Sequence, residues 1–197
     1  MFRNLRGTRQ QDRGLEQKLK SLEQQAQIAL PGFDAQFYNR AGDLCFEADD
    51  RPRAFAYYGR AIDAYLQARR YNASGAVCRK LLRISPSAVR ARCTLAWLSI
   101  GKRLLGDARR EIGEYVEAAK LAGQERLARK QLAMMADTTR DAELRELIAV
   151  MLDDLGDAEG AARVRAAPTP DVLEDFDAFW SDVLRAALMG PEELDMY

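Results

Sequence analysis

The chain has 197 residues, 48% of them apolar, with 30 basic and 30 acidic side chains and no histidine. That is enough apolar material for one domain or a short array of repeats. A formal charge of zero argues against a dedicated nucleic-acid binder, whose phosphate contacts need cationic excess, and the missing histidine removes the commonest general base and metal ligand.

Cys45, Cys78 and Cys93 form no C-x-x-C pair, and an odd number closes no disulfide framework, so reduced thiols in a cytoplasmic protein are expected. The opening MFRNLRGTRQQDRG has arginines but no apolar stretch behind them, unlike a secretory signal. No run reaches the length of apolar residues that a membrane span needs. The abundance of Arg over Lys, with many Ala, hints at a GC-rich bacterial genome.

In chain order, the first expected helix covers about 15–29 and stops at Pro31-Gly32. Asp34 is placed to cap the next, and Asp50 with Pro52 restarts the chain. Ser85-Pro86 is a stop and a start together, because Pro86 cannot continue a helix but suits a first turn. Gly106-Asp107, Gly123, Thr138-Thr139 and Gly156-Asp157 read as further turns. Between them the apolar residues keep helical spacing. Ala108, Ile112, Tyr115, Val116 and Ala119 share one face, as do Leu144, Leu147, Ile148, Met151, Leu152 and Leu155. Thr169-Pro170-Asp171 opens a last helix. Strand signals are nearly absent, so the expectation is an all-α chain of about ten helices with short loops, which make successive helices antiparallel neighbours.

Helix–turn–helix units recur at about 34 residues. Counting from Tyr38 gives Ala41-Gly42, Cys45, Ala54, Tyr58 and Ala61 at the spacings of the tetratricopeptide pattern. Counting from Tyr58 gives Ala61-Ile62, Tyr65, Ser74, Cys78, Leu81 and Pro86, and counting from Arg92 gives Leu95-Ala96, Ser99, Ala108, Ile112 and Tyr115. Segment 51–67 fits as a second helix in the first phase and as a first helix in the second. Residues 34–167 thus resemble the tetratricopeptide repeat (TPR) family. The resemblance implies antiparallel helix pairs stacked as a right-handed solenoid whose concave face holds a peptide or protein. Charge and apolar spacing outside that stretch add two further segments, so the expected organisation is a basic arm and first helix (1–33), the repeats (34–167) and an acidic amphipathic C-terminal helix and tail (168–197). The family's peptide clamp grips a terminal carboxylate with Lys, Arg and Asn; Asn39 and Asp43 do not reproduce it. By phase, Arg90, Cys93 and Trp97 would line the groove, with a place in the core the alternative for Trp97.

Nothing in the sequence assembles a reactive site. The hydroxyls and thiols have no histidine to activate them, and no G-x-x-x-x-G-K-[ST] or G-x-G-x-x-G occurs. The acids of MLDDLGDAEG lack the order of a calcium loop. No enzyme activity, cofactor, metal, nucleic acid or small-molecule substrate is expected. Charge is uneven, however. Residues 1–20 carry a net +4, suited to an anionic membrane surface or an acidic partner, and residues 171–197 carry a net −7. Within that acidic stretch Phe176, Phe179, Trp180, Val183 and Leu184 form an apolar stripe, which either caps the last helix pair or enters a partner's groove. The expected role is a cytoplasmic scaffold or adaptor that binds a protein. The alternative is a peripheral subunit that stabilises a membrane complex at the cytoplasmic face, docked partly through residues 1–20.

Overall fold

The computed structural model describes residues 5–30 and 33–168, with side chains from Arg13 onward. The described residues are all-helical, without strands. The helices are α1 (Leu5–Ile28), α2 (Asp34–Glu47), α3 (Arg51–Gln67), α4 (Tyr71–Ile84), α5 (Val89–Gly101), α6 (Leu105–Leu121), α7 (Glu125–Thr138), α8 (Ala142–Asp154) and α9 (Ala158–Ala166). The first helix begins ten residues before its expected start, because the Arg- and Gln-rich stretch before residue 15 holds good helix formers.

One turn recurs along the chain. Asp49, Arg69, Arg103, Gly123 and Gly156 each take a positive φ just after a helix. At the first, the Asp49 N–H donates to the Phe46 carbonyl and the Asp50 N–H to the Cys45 carbonyl; the same two bonds recur at the other four. This is the Schellman closure, which satisfies carbonyls left over at a helix end. The next helix then starts within two residues, and Asp50, Asp141 and Asp157 cap α3, α8 and α9 by accepting from the backbone N–H three residues on. The expected turn at Gly106-Asp107 is corrected: the turn is centred on Arg103, and Gly106 and Asp107 lie in the first turn of α6. A positively twisted arginine gives no compositional signal, whereas the glycine three residues later does.

The chain divides into two compact units, residues 1–81 and 82–197. In the first, α2 and α3 are the closest pair, with α1 against α2. Gly42 makes that approach possible. A Cβ there would stand 2.6 Å from a ring carbon of Tyr58, which is itself 1% exposed. Ala41, Cys45, Ala54, Ala61, Leu66 and Cys78 complete this core. In the second unit each of α5, α6 and α7 touches both the next helix and the next but one, and α8 touches α9. Trp97, Ile112, Tyr115, Leu132, Met135, Leu144, Ile148 and Leu152 fill its interior, each at most 1% exposed.

The helix bounds reveal a longer internal period than two-helix counting finds. Adding 54 to the limits of α3 and α4 gives those of α6 and α7, and adding 53 to those of α5 gives those of α8. The closures follow the same offsets, from Asp49 to Arg103 to Gly156 and from Arg69 to Gly123. So does a buried alanine near the start of each second helix, at Ala54, Ala108 and Ala161. The repeating block is three helices: α2–α4, α5–α7, and then α8 with a shortened α9.

Candidate protein-interaction surface

Most apolar side chains of the first unit face inward, but the end of α1 and the start of α2 break that rule. Ile28 is 85% exposed, Leu30 71% and Phe33 48%. With Gln25, Ala29, Gln36 and Phe37 they line a recess of about 330 Å³. Two of them fall between helices, outside any helical period, so no core claims them. Arg70 rides over the Phe33 ring, 5.0 Å from its centre, and Arg40 is exposed on α2, one turn beyond Gln36 and Phe37. The corner is an apolar recess with a cationic edge. In the sequence the signal is a crowding of apolar residues about the Pro31-Gly32 break, whose local chemistry marks only a helix stop.

Behind this corner, α1 is fixed to α3 by polar contacts. Arg53 pairs with Glu16, and the Tyr57 hydroxyl donates to Glu23 at 2.8 Å. Burial first, then that bond to a carboxylate, pushes the Tyr57 hydroxyl up to about 12, so it stays a donor at neutral pH. Arg60 lies between the Tyr38 and Tyr57 rings, 5.9 and 5.7 Å from their centres. On the other side of α2, Lys80 meets Asp43 and donates to Asn39 at 3.1 Å, while the Tyr58 hydroxyl donates to Asp43 at 2.7 Å. This lysine neutralises the acid beside it and ties α4 to α2. Asn39, Asp43 and Lys80 therefore form a closed network.

The proposed groove residues of α5 have a different setting. Trp97 is 1% exposed, and its indole N–H donates to Gln131 of α7 at 2.8 Å. Cys93 is buried, and that burial pushes its thiol up to about 12, well away from the thiolate form. Its neighbour is the Tyr115 hydroxyl, which has no hydrogen-bond partner of good geometry. Arg90 is exposed at the start of the helix. Nearly every residue of α5 from Val89 to Gly101 is buried, so the helix is covered almost all round and offers Arg90, not Cys93 or Trp97, to solvent. Of the two settings open to Trp97, core is the one observed, and a helix covered almost all round has no polar side to give its orientation away. Phe176, Phe179 and Trp180 lie outside the described residues. Of the basic arm, Arg13, Lys18 and Lys20 are exposed on α1.

Four side-chain hydrogen bonds join residues 34 apart: Glu23 with Tyr57, Trp97 with Gln131, Arg109 with Glu143, and Lys120 with Asp154. Among the described residues no group of three or more Cys, Asp or Glu could hold a metal ion, and no helix is long and apolar enough to cross a membrane. No protein-family model, no curated protein and no solved structure matches the chain.

Proposed function

We propose that the chain is a non-enzymatic scaffold or adaptor of TPR-like build, and that it binds a partner protein at the α1–α2 corner. The observation that carries this is the exposed trio Ile28, Leu30 and Phe33 around a recess of about 330 Å³. Contiguous exposed apolar surface of this kind marks interaction sites, and the volume lies at the lower end of the range for binding pockets. The occupant that fits is a peptide or helix segment with one large apolar side chain flanked by acids. The apolar group fills the recess, and a flanking acid meets Arg40, exposed on α2. The 34-residue spacing of four hydrogen bonds, each between a helix and the next but one, and the next-but-one contacts within the second unit support a TPR-like relation between alternate helices.

The test begins with the tagged full-length chain, used to capture and identify a partner from the native lysate. The partner segment bearing an apolar anchor among acids is then made as a labelled peptide and titrated against wild type, Leu30→Asp and Phe33→Asp. Both positions are exposed, so the variants should keep the wild-type circular dichroism. Loss of an anchor contact should weaken binding at least about tenfold, the scale of a hot-spot residue. Equal affinity for all three forms would remove the corner from the function.

A further inference from the structure

The three-helix period leaves its last block unfinished among the described residues. In the first block the third helix, α4, is held to α2 by Lys80 on Asp43. In the second, α7 is held to α5 by Gln131 on Trp97. Asp43 and Trp97 are equivalent positions, 54 apart. The equivalent of Trp97 in the third block is Val150 on α8, 53 further on. Trp97 is 1% exposed but Val150 is 45% exposed, and Leu147 and Met151 beside it on the same helix face are only half-buried. Thus the site where a third helix sits in two blocks is an open apolar face in the third.

The chain carries material to cover it. Thirty-one residues follow the end of α9. The buried positions of α4 include, beside Gly75, the set Ser74, Val77, Cys78 and Leu81, and those of α7 include, beside Ala136, the set Ala128, Gln131, Leu132 and Met135. Both sets have the spacing i, i+3, i+4, i+7. The same spacing occurs at Phe176, Phe179, Trp180 and Val183, and again at Trp180, Val183, Leu184 and Ala187. α9 has nine residues where α3 and α6 have seventeen, and Pro168 and Pro170 follow it, so the sequence after α9 is not a copy of the earlier blocks. The acids Asp175, Asp177 and Asp182 fall between the stripe positions and would stay in water.

We propose that residues 176–187 of the same chain supply the third helix of the last block and cover the Leu147–Val150–Met151 face of α8. The stripe is then a capping element that gives the final helix pair a polar outer surface, which terminal repeats require.

The test uses full-length protein labelled with 5-fluorotryptophan. The chain has two tryptophans, Trp97 and Trp180, so ¹⁹F spectra show two resonances, assigned with Trp180→Phe. In dilute monomer, verified by light scattering, the Trp180 resonance should sit away from the free-indole position and resist broadening by a soluble paramagnetic agent. Val150→Asp should move it to the free position and remove that protection, while the Trp97 resonance and the circular dichroism hold. Val150 is half exposed, so this variant should fold. Three results would overturn the proposal: a free Trp180 in the wild-type monomer, protection that appears only as concentration or a partner is raised, or protection that survives Val150→Asp.

Discussion

Gly42 and Tyr58 show how one missing side chain sets the spacing of a helix pair. Replacing a mid-helix glycine by alanine ordinarily stabilises by about 1 kcal/mol. At Gly42 the added methyl would meet two ring carbons of Tyr58 at 2.6 and 2.7 Å. The ring cannot swing aside, because it is buried and its hydroxyl is bonded to Asp43. Overpacking of this kind costs about 1–3 kcal/mol and outweighs the propensity gain. Gly42→Ala should therefore lower the urea midpoint, whereas Gly59→Ala and Gly113→Ala, whose new methyls meet nothing within 4 Å, should raise it. The glycine was legible in the sequence through its spacing from Tyr38. Its partner was legible too, because the family pattern places an aromatic sixteen residues on. The polar company of these residues was not. No local pattern announces that Lys80 returns to Asp43, because the contact depends on where α4 packs.

At the level of elements, the ends of α7 and α9 are held by one buried arginine. The Arg145 guanidinium donates to the carbonyls of Ala136 at 2.6 Å, Val164 at 2.9 Å and Ala167 at 3.2 Å. Ala136 and Val164 lie in the last turns of their helices, where carbonyls lack intrahelical donors. The natural donor to Val164 would be the N–H of residue 168, which is proline and has none. A cation at two helix C-termini also meets the negative ends of both dipoles. Arg145→Met keeps the bulk but strands the three acceptors and should cost about 3 kcal/mol or more by chemical denaturation. Arg145→Lys should cost less, since an ammonium recovers part of the contact but cannot span all three carbonyls. An unchanged midpoint for the methionine variant would show that water or backbone movement satisfies these groups. In the sequence, Arg145 looks like any surface arginine between Leu144 and Glu146. Helix existence could be read from apolar spacing, but Asp34, read as the cap of α2, is its first residue, behind an N-cap Phe33 that offers no side-chain bond, and a charge that closes other helices' ends has no local signature.

For the molecule as a whole, the sequence was informative about class and less so about period. The all-helical build followed from apolar spacing and the lack of strand signals, and most breaks fell where Gly, Pro or Asp marked them. The 54-residue block escaped because its copies share geometry more than residues. Tyr58 corresponds to Ile112, Cys78 to Leu132 and Asp43 to Trp97, so the equivalence lies in where helices end and which positions are buried. The candidate surface was hidden for the opposite reason, since Ile28, Leu30 and Phe33 are ordinary core residues by type and only the fold leaves them outside. The repeated closure carries a practical consequence. Glycine occupies the left-handed position at Gly123 and Gly156, while Asp49, Arg69 and Arg103 hold it with side chains that disfavour it. Each such residue costs about 1–2 kcal/mol, partly offset because glycine loosens the unfolded chain. Arg103→Gly should raise stability by about 0.5–1 kcal/mol and the melting temperature by about 2 °C. The chain thus holds a reserve of thermal robustness at its helix ends that an engineer could draw on without touching either core or the exposed corner.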